Sequence, residues 1–139
     1  MPENDFTREM ILREVNEMQL ASFVFVGLGG AVGAMLRYAV SLLPYKGTFP
    51  VLTLATNLLG ALAIGVIAGM AARRQAPEGL VLFLKTGVCG GFTTFSTFSL
   101  EAWQLLEKGH PGLAVTYMLL SVLGCLAGVA AGLWAASRW

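Results

Sequence analysis

The sequence predicts an all-α membrane protein with four transmembrane helices, and three observations carry that prediction. Charged residues make up 12% of the 139-residue chain and hydrophobic ones 56%, with a mean hydropathy of +0.71. A water-facing domain carries about 25% charged residues, so this chain lacks the charge for such a surface. The charges are also clustered. Of nine basic and eight acidic residues, seven fall in the first 17 positions: Glu3, Asp5, Arg8, Glu9, Arg13, Glu14 and Glu17. The others lie mostly in short gaps between apolar runs long enough for a bilayer crossing, which takes about 20 residues.

In chain order, residues 1–21 form a charged N-terminal extension ahead of a four-helix membrane domain, 22–139. The extension is not a signal peptide, because a mixed-charge stretch precedes a full-length apolar run that has no cleavage site. Phe6, Met10, Leu12, Val15 and Met18 fit an interfacial amphipathic helix over 6–20; a disordered tail is the other reading. The spans run from about Ser22 to Leu43, Pro50 to Ala72, Leu80 to Leu106 and Leu113 to Ala136, with Pro44, Pro50, Pro77 and Pro111 marking the joints. Such short connections make neighbouring helices antiparallel. No soluble domain is left over, so any activity lies within the bilayer.

Small residues recur at four-residue spacing: Gly29 and Gly33 in the first span, Ala61, Gly65 and Gly69 in the second, Gly124, Gly128 and Gly132 in the fourth. They predict close helix packing. Gly27–Gly33 is not a dinucleotide loop, since Val32 holds the third glycine position and no strand precedes it. Nucleotide is therefore not an expected partner. Nor is nucleic acid, which requires a basic footprint that a net charge of +1 does not supply. Cys89 and Cys125 lie in apolar segments without metal-ligand spacing and read as small buried hydrophobes. Positive charges barely orient the chain. Without the extension, Arg73, Arg74, Lys85 and Arg138 fall on one side, and Arg37, Lys46 and Lys108 on the other. This near-balance is compatible with an antiparallel, dual-topology homodimer and does not require one.

The third span departs from the pattern. In KTGVCGGFTTFSTFSLE (85–101), Gly87, Gly90 and Gly91 are expected to break the helix, and Thr93, Thr94, Ser96, Thr97 and Ser99 then alternate with Phe92, Phe95 and Phe98. Backbone freed in hydrocarbon costs several kcal/mol per group unless it lies inside protein or along a wet cavity. Interrupted helices at the bilayer midplane bind ions, with carbonyls facing cations and N–H groups facing anions. Beyond the break, Phe95 and Phe98 share one helical face, Ser96 and Ser99 another, and Thr93, Thr97 and Glu101 a third. Hydroxyls donate hydrogen bonds without charge, and phenyl rings present a positive edge. Together they suit a small anion.

Other polar groups inside the spans are open to two readings. Asn57 donates to an anion or ties helices together. Arg37 attracts anions or caps carbonyls, unless it snorkels to the interface. Glu101, the only carboxylate within a span, carries a proton or gates an anion, or else pairs with a cation. Tyr117 and Ser121, four apart, extend a polar face on the fourth helix, and His110 is a solvated loop residue.

GGFTTFSTFSLE (90–101), together with GAMLRY (33–38) and TLATNLLG (53–60), resembles the signature of the Fluc-type fluoride channels, the CrcB family, and the likeness runs over about residues 22–136. The resemblance implies a multi-pass protein of the inner (plasma) membrane, surrounded by lipid and assembled as a dual-topology homodimer with two fluoride pores. It implies passive fluoride efflux that lowers cytoplasmic fluoride. It also implies a structural sodium ion at the dimer interface, held by the carbonyls of Gly90 and Thr93. By motif position, the pore residues are Asn57, Phe95 and Phe98, with Ser96, Thr97 and Ser99 as a polar track. Glu101 and Arg37 lie near the pore mouth, and Tyr117 and Ser121 line it from the fourth helix. The alternative is a proton-coupled four-helix exporter of the small multidrug type, which wants a carboxylate in the first span where this chain has none. An enzyme is not expected, because one loop histidine and two scattered cysteines form no catalytic cluster.

Overall fold

The structure is a computed structural model that describes residues 3–74 and 76–138. Regular structure among those residues is helical throughout. Helix α1 spans Glu3–Ser41, α2 spans Val51–Arg74 and α5 spans Pro111–Ala136. The third span consists of two pieces. In α3 (78–92), a π-helical stretch Leu82–Cys89 runs between α-helical turns at Glu78–Val81 and Gly90–Phe92. The second piece, α4, is Phe95–Glu107. Among the described residues, four segments are long and apolar enough to cross a membrane, with α3 and α4 together as one of them. The chain is a multi-pass membrane protein.

Span ends fall within two residues of the sequence expectation, apart from the start of the first. There, α1 continues without a break through the charged extension. Its 39 residues make a rod about 58 Å long at 1.5 Å per residue, against a hydrocarbon core of about 30 Å. The side chains of residues 8–20 are all exposed.

The third span is interrupted, but not at its glycines. Gly87, Gly90 and Gly91 are all helical; Gly90, for example, has φ −63° and ψ −39°. The chain leaves the helix at Thr93 and Thr94, both extended, with φ/ψ of −79°/158° and −151°/122°. The glycines serve contact instead. A Cβ on Gly87 would come within 2.7 Å of Gly29 Cα, one on Gly33 would run into the Val88 carbonyl, and one on Gly91 would come within 3.0 Å of the Ala34 amide nitrogen. Glycine thus faces glycine where α1 meets α3. This lets the two backbones approach more closely than side chains would permit.

Helix α2 packs mainly on α5 by the same device. A Cβ on Gly132 would lie 2.7 Å from the Val66 amide nitrogen, and one on Gly69 would lie 2.6 Å from Ala136 Cβ. Arg73 Nη1 donates to the Ser137 carbonyl (2.9 Å), so a cation sits at the negative end of α5. The enclosed cluster is small: Phe98, Ala102, Leu105, Ala114 and Tyr117, all on α4 and α5. Large apolar side chains such as Phe23, Leu126 and Trp134 point outward, as a lipid solvent allows.

Gly33→Ala should lower stability by about 1–3 kcal/mol, because the extra methyl meets rigid backbone. Gly112→Ala, whose Cβ meets nothing within 4 Å, should be neutral. Unfolding midpoints in detergent check both.

Candidate functional site at the interrupted third helix

The interruption is held by one side chain. Asn57 Nδ2 donates to the Thr94 carbonyl (3.0 Å), and the Thr94 amide donates to Asn57 Oδ1 (2.8 Å). The carboxamide thus satisfies the Thr94 amide, which has no helical acceptor, and adds a donor at the Thr94 carbonyl, which as N-cap also opens the bonding of α4. Thr94 in turn caps α4. Its Oγ1 accepts from the Thr97 amide (3.2 Å) and donates to Thr97 Oγ1 (3.0 Å), while Ser96 Oγ lies 3.3 Å away. A threonine N-cap starting a helix is a standard preference.

Two carbonyls lose their helical donors as a result. The Thr94 amide, which would bond the Gly90 carbonyl, goes to Asn57; the Thr97 amide, which would bond the Thr93 carbonyl, goes to Thr94 Oγ1. Both residues line an open groove of about 480 Å³, and a Cβ on Gly90 would meet nothing within 4 Å. Asn57, Thr94, Phe95, Phe98 and Ser121 line the same groove. Asn57 retains a second N–H there. The Ser121 hydroxyl is buried and has no hydrogen-bond partner among the described residues.

An aromatic row leads away from the groove. The rings of Phe95 and Phe98 lie 5.4 Å apart, and those of Phe98 and Tyr117 lie 5.1 Å apart. Phe49 meets Tyr117 edge-on at 5.6 Å. Tyr117 is fully enclosed, and its hydroxyl donates to Glu101 Oε2 (2.7 Å). Thr53 Oγ1 donates to Glu101 Oε1 (2.8 Å). Among the described residues, Glu101 therefore accepts from two hydroxyls rather than pairing with a cation. It lines a second recess, of about 440 Å³, which opens to the loops.

The sequence profile described as "CrcB-like protein, Camphor Resistance (CrcB)" matches residues 24–133. The chain belongs to the CrcB family. It is similar to the fluoride-specific ion channel FluC of Methylobacterium sp. (strain 4-46), with 48% identity over 114 residues that cover 80% of this chain and 89% of that one. The Paracoccus denitrificans (strain Pd 1222) protein of the same name is 46% identical over 81% of this chain and 91% of its own. That of Cereibacter sphaeroides (strain ATCC 17029 / ATH 2.4.9) is 44% identical over 86% and 98%.

Within this CrcB chain, the residues singled out from sequence divide into groups. Asn57, Gly90, Thr93, Phe95, Phe98 and Ser121 share the groove. Glu101 and Tyr117 join at the far end of the aromatic row. Arg37 and Thr97 line a separate cavity of about 260 Å³ with Thr53 and Thr56. There Arg37 Nε donates to the Gly91 carbonyl (3.1 Å), so it caps the end of α3. Ser99 stands apart: it is exposed, and its hydroxyl turns back to the Phe95 carbonyl (2.9 Å). Sequence reading missed Thr53, which lines both the recess and the Arg37 cavity. Its signal was its spacing, since Thr53 and Asn57 are four apart on α2 and share a face.

Removing the Asn57 carboxamide (Asn57→Ala) leaves the Thr94 amide unpaired and strips one donor from its carbonyl. It should cost about 1–3 kcal/mol, measured by detergent-titrated unfolding. Tyr117→Phe deletes one hydrogen bond to a carboxylate and should cost about 1.5–3 kcal/mol in the same assay.

Proposed function

We propose that the chain is a fluoride-selective ion channel of the inner (plasma) membrane that passes fluoride passively outward and so lowers cytoplasmic fluoride. The carrying observation is the continuous row from the Asn57 groove through Phe95, Phe98 and Tyr117 to Glu101. Ring edges and hydroxyl or amide donors offer a dehydrated anion partial positive charge without trapping it. The names of the relatives, fluoride-specific ion channels, support this reading and not that of an enzyme.

The channel unit is residues 22–139, with 1–21 as an appended extension, and it works as an antiparallel, dual-topology homodimer. Phe95 is 77% exposed in a single chain, and Ser96 beside it is exposed as well. A pathway open on one flank to lipid holds no ion, and a second copy closes it. Sodium would be held at that interface by the carbonyls of Gly90 and Thr93. The fit is chemical: these two oxygens have lost their helical donors, and a hard cation prefers oxygen ligands. Its charge would neutralise carbonyl dipoles where the two chains cross. In the pathway, Asn57 and Ser121 present donors to fluoride, and Phe95 and Phe98 present ring edges. In the hydroxyl track of Ser96, Thr97 and Ser99, Ser96 stands beside the exposed Phe95, Thr97 opens to the Arg37 cavity, and Ser99 would have to turn its hydroxyl away from the Phe95 carbonyl to meet the ion. Tyr117, Glu101 and Arg37 shape the ends.

Voltage-driven fluoride efflux from liposomes tests the reading. Fluoride should flow without a proton gradient, and chloride should not follow. Phe95→Ile and Phe98→Ile should each slow efflux about tenfold or more, the effect of roughly 1.4 kcal/mol on a barrier. Equal chloride flux, or a requirement for a proton gradient, would sink it; the second result would favour a coupled exporter.

A further inference from the structure

The recess above Glu101 is built differently from the groove. Beside apolar residues such as Phe49 and Leu105, its lining carries Lys46 from the α1–α2 loop, Thr53 from α2, Glu101 and Gln104 from α4, and Lys108 and His110 from the α4–α5 loop. Two lysines stand against one carboxylate. The loop that carries His110 is pinned by its backbone. The His110 amide donates to the Leu105 carbonyl (2.9 Å), its carbonyl accepts from Ala114 (3.0 Å), and Gly109 makes the turn at φ 76°. His110 sits at the N-cap of α5, yet its side chain makes no capping bond. The loop backbone is thus fixed, and the His110 side chain lines the recess without capping α5.

We propose that this recess is an anion-gathering mouth whose strength is set by the protonation of His110. The proposal rests on the fluoride-channel reading. The titratable and charged groups lining the recess are Tyr45 and Lys46 from one loop, Glu101 from α4, and Lys108 and His110. Of these side-chain types, imidazole is the one that ordinarily changes charge between about pH 6 and pH 8. Protonation adds a third positive charge beside the two lysines. A unit charge about 10 Å away in water shifts the local concentration of a monovalent anion about twofold. Low-dielectric walls focus the field, and salt screens it within about 10 Å at 0.1 M. Acidification therefore strengthens the mouth.

The test uses the full chain in liposomes, with voltage-driven fluoride efflux at low ionic strength and equal pH on both sides, corrected for protein-free vesicles. Efflux should be about twofold faster at about pH 6 than at about pH 8. His110→Gln should run at one rate at both values, and His110→Lys should be fast at both. Lys46→Gln and Lys108→Gln should slow efflux at both while keeping the pH ratio. A pH ratio that survives His110→Gln, or a His110→Lys variant that stays slow at pH 8, overturns the mouth and leaves the channel standing. Absence of wild-type fluoride efflux at either pH overturns the channel reading and the mouth with it.

Discussion

The site depends on two residues, Thr93 and Thr94, kept out of helical form inside a membrane. Thr94 can be extended there because Asn57 supplies both a donor and an acceptor to it. Remove that clasp and hydrocarbon leaves the backbone one economical state, continuous helix. The other features follow from the clasp. Once the Thr94 and Thr97 amides are engaged elsewhere, the Gly90 and Thr93 carbonyls are left to the groove. A fresh helix then begins at Phe95, which sets the phase that brings Phe95, Phe98 and Glu101 to their neighbours.

The two helix pairs provide the frame that holds Asn57 opposite Thr94. Helix α2 is fixed against α5 through Gly65, Gly69 and Gly132, and α3 against α1 through Gly29, Gly33, Gly87 and Gly91. Because these contacts are backbone to backbone, apart from Gly69 against the Ala136 methyl, they leave little room for the helices to slide. In lipid, where burial of apolar surface drives little, close approach is the main attractive term between helices. Arg37 reinforces it by bonding the last turn of α3 from α1.

Much of this was legible in the sequence. Span number, span ends and antiparallel order followed from apolar length and proline punctuation, which depend only on bilayer thickness and backbone chemistry. So did the adjacency of Phe95 and Phe98, since helical spacing decides it. The place of the break was not legible from glycine content. Glycine has two uses in a helix, to leave it or to be approached closely, and composition cannot separate them. Here α1 carries matching glycines that claim Gly87 and Gly91 for contact. The usable signal was the Thr94 cap followed by a helix. Glu101's partners were also hidden, because Thr53 and Tyr117 come from two other helices.

The long first helix has a consequence for how the protein sits in different membranes. Its N-terminal half has no sharp apolar edge: residues 8–20 mix charged and apolar side chains, all of them exposed. Its depth is therefore set lower down, where Gly29 and Gly33 grip α3. When bilayer thickness changes, a helix commonly tilts or shifts to follow it. In this chain the slack falls at the free end of the rod, and the tie between Arg37 and Gly91 keeps its register. The extended turn at Thr93 and Thr94 is thus positioned by its neighbouring helices, through Asn57 and Arg37.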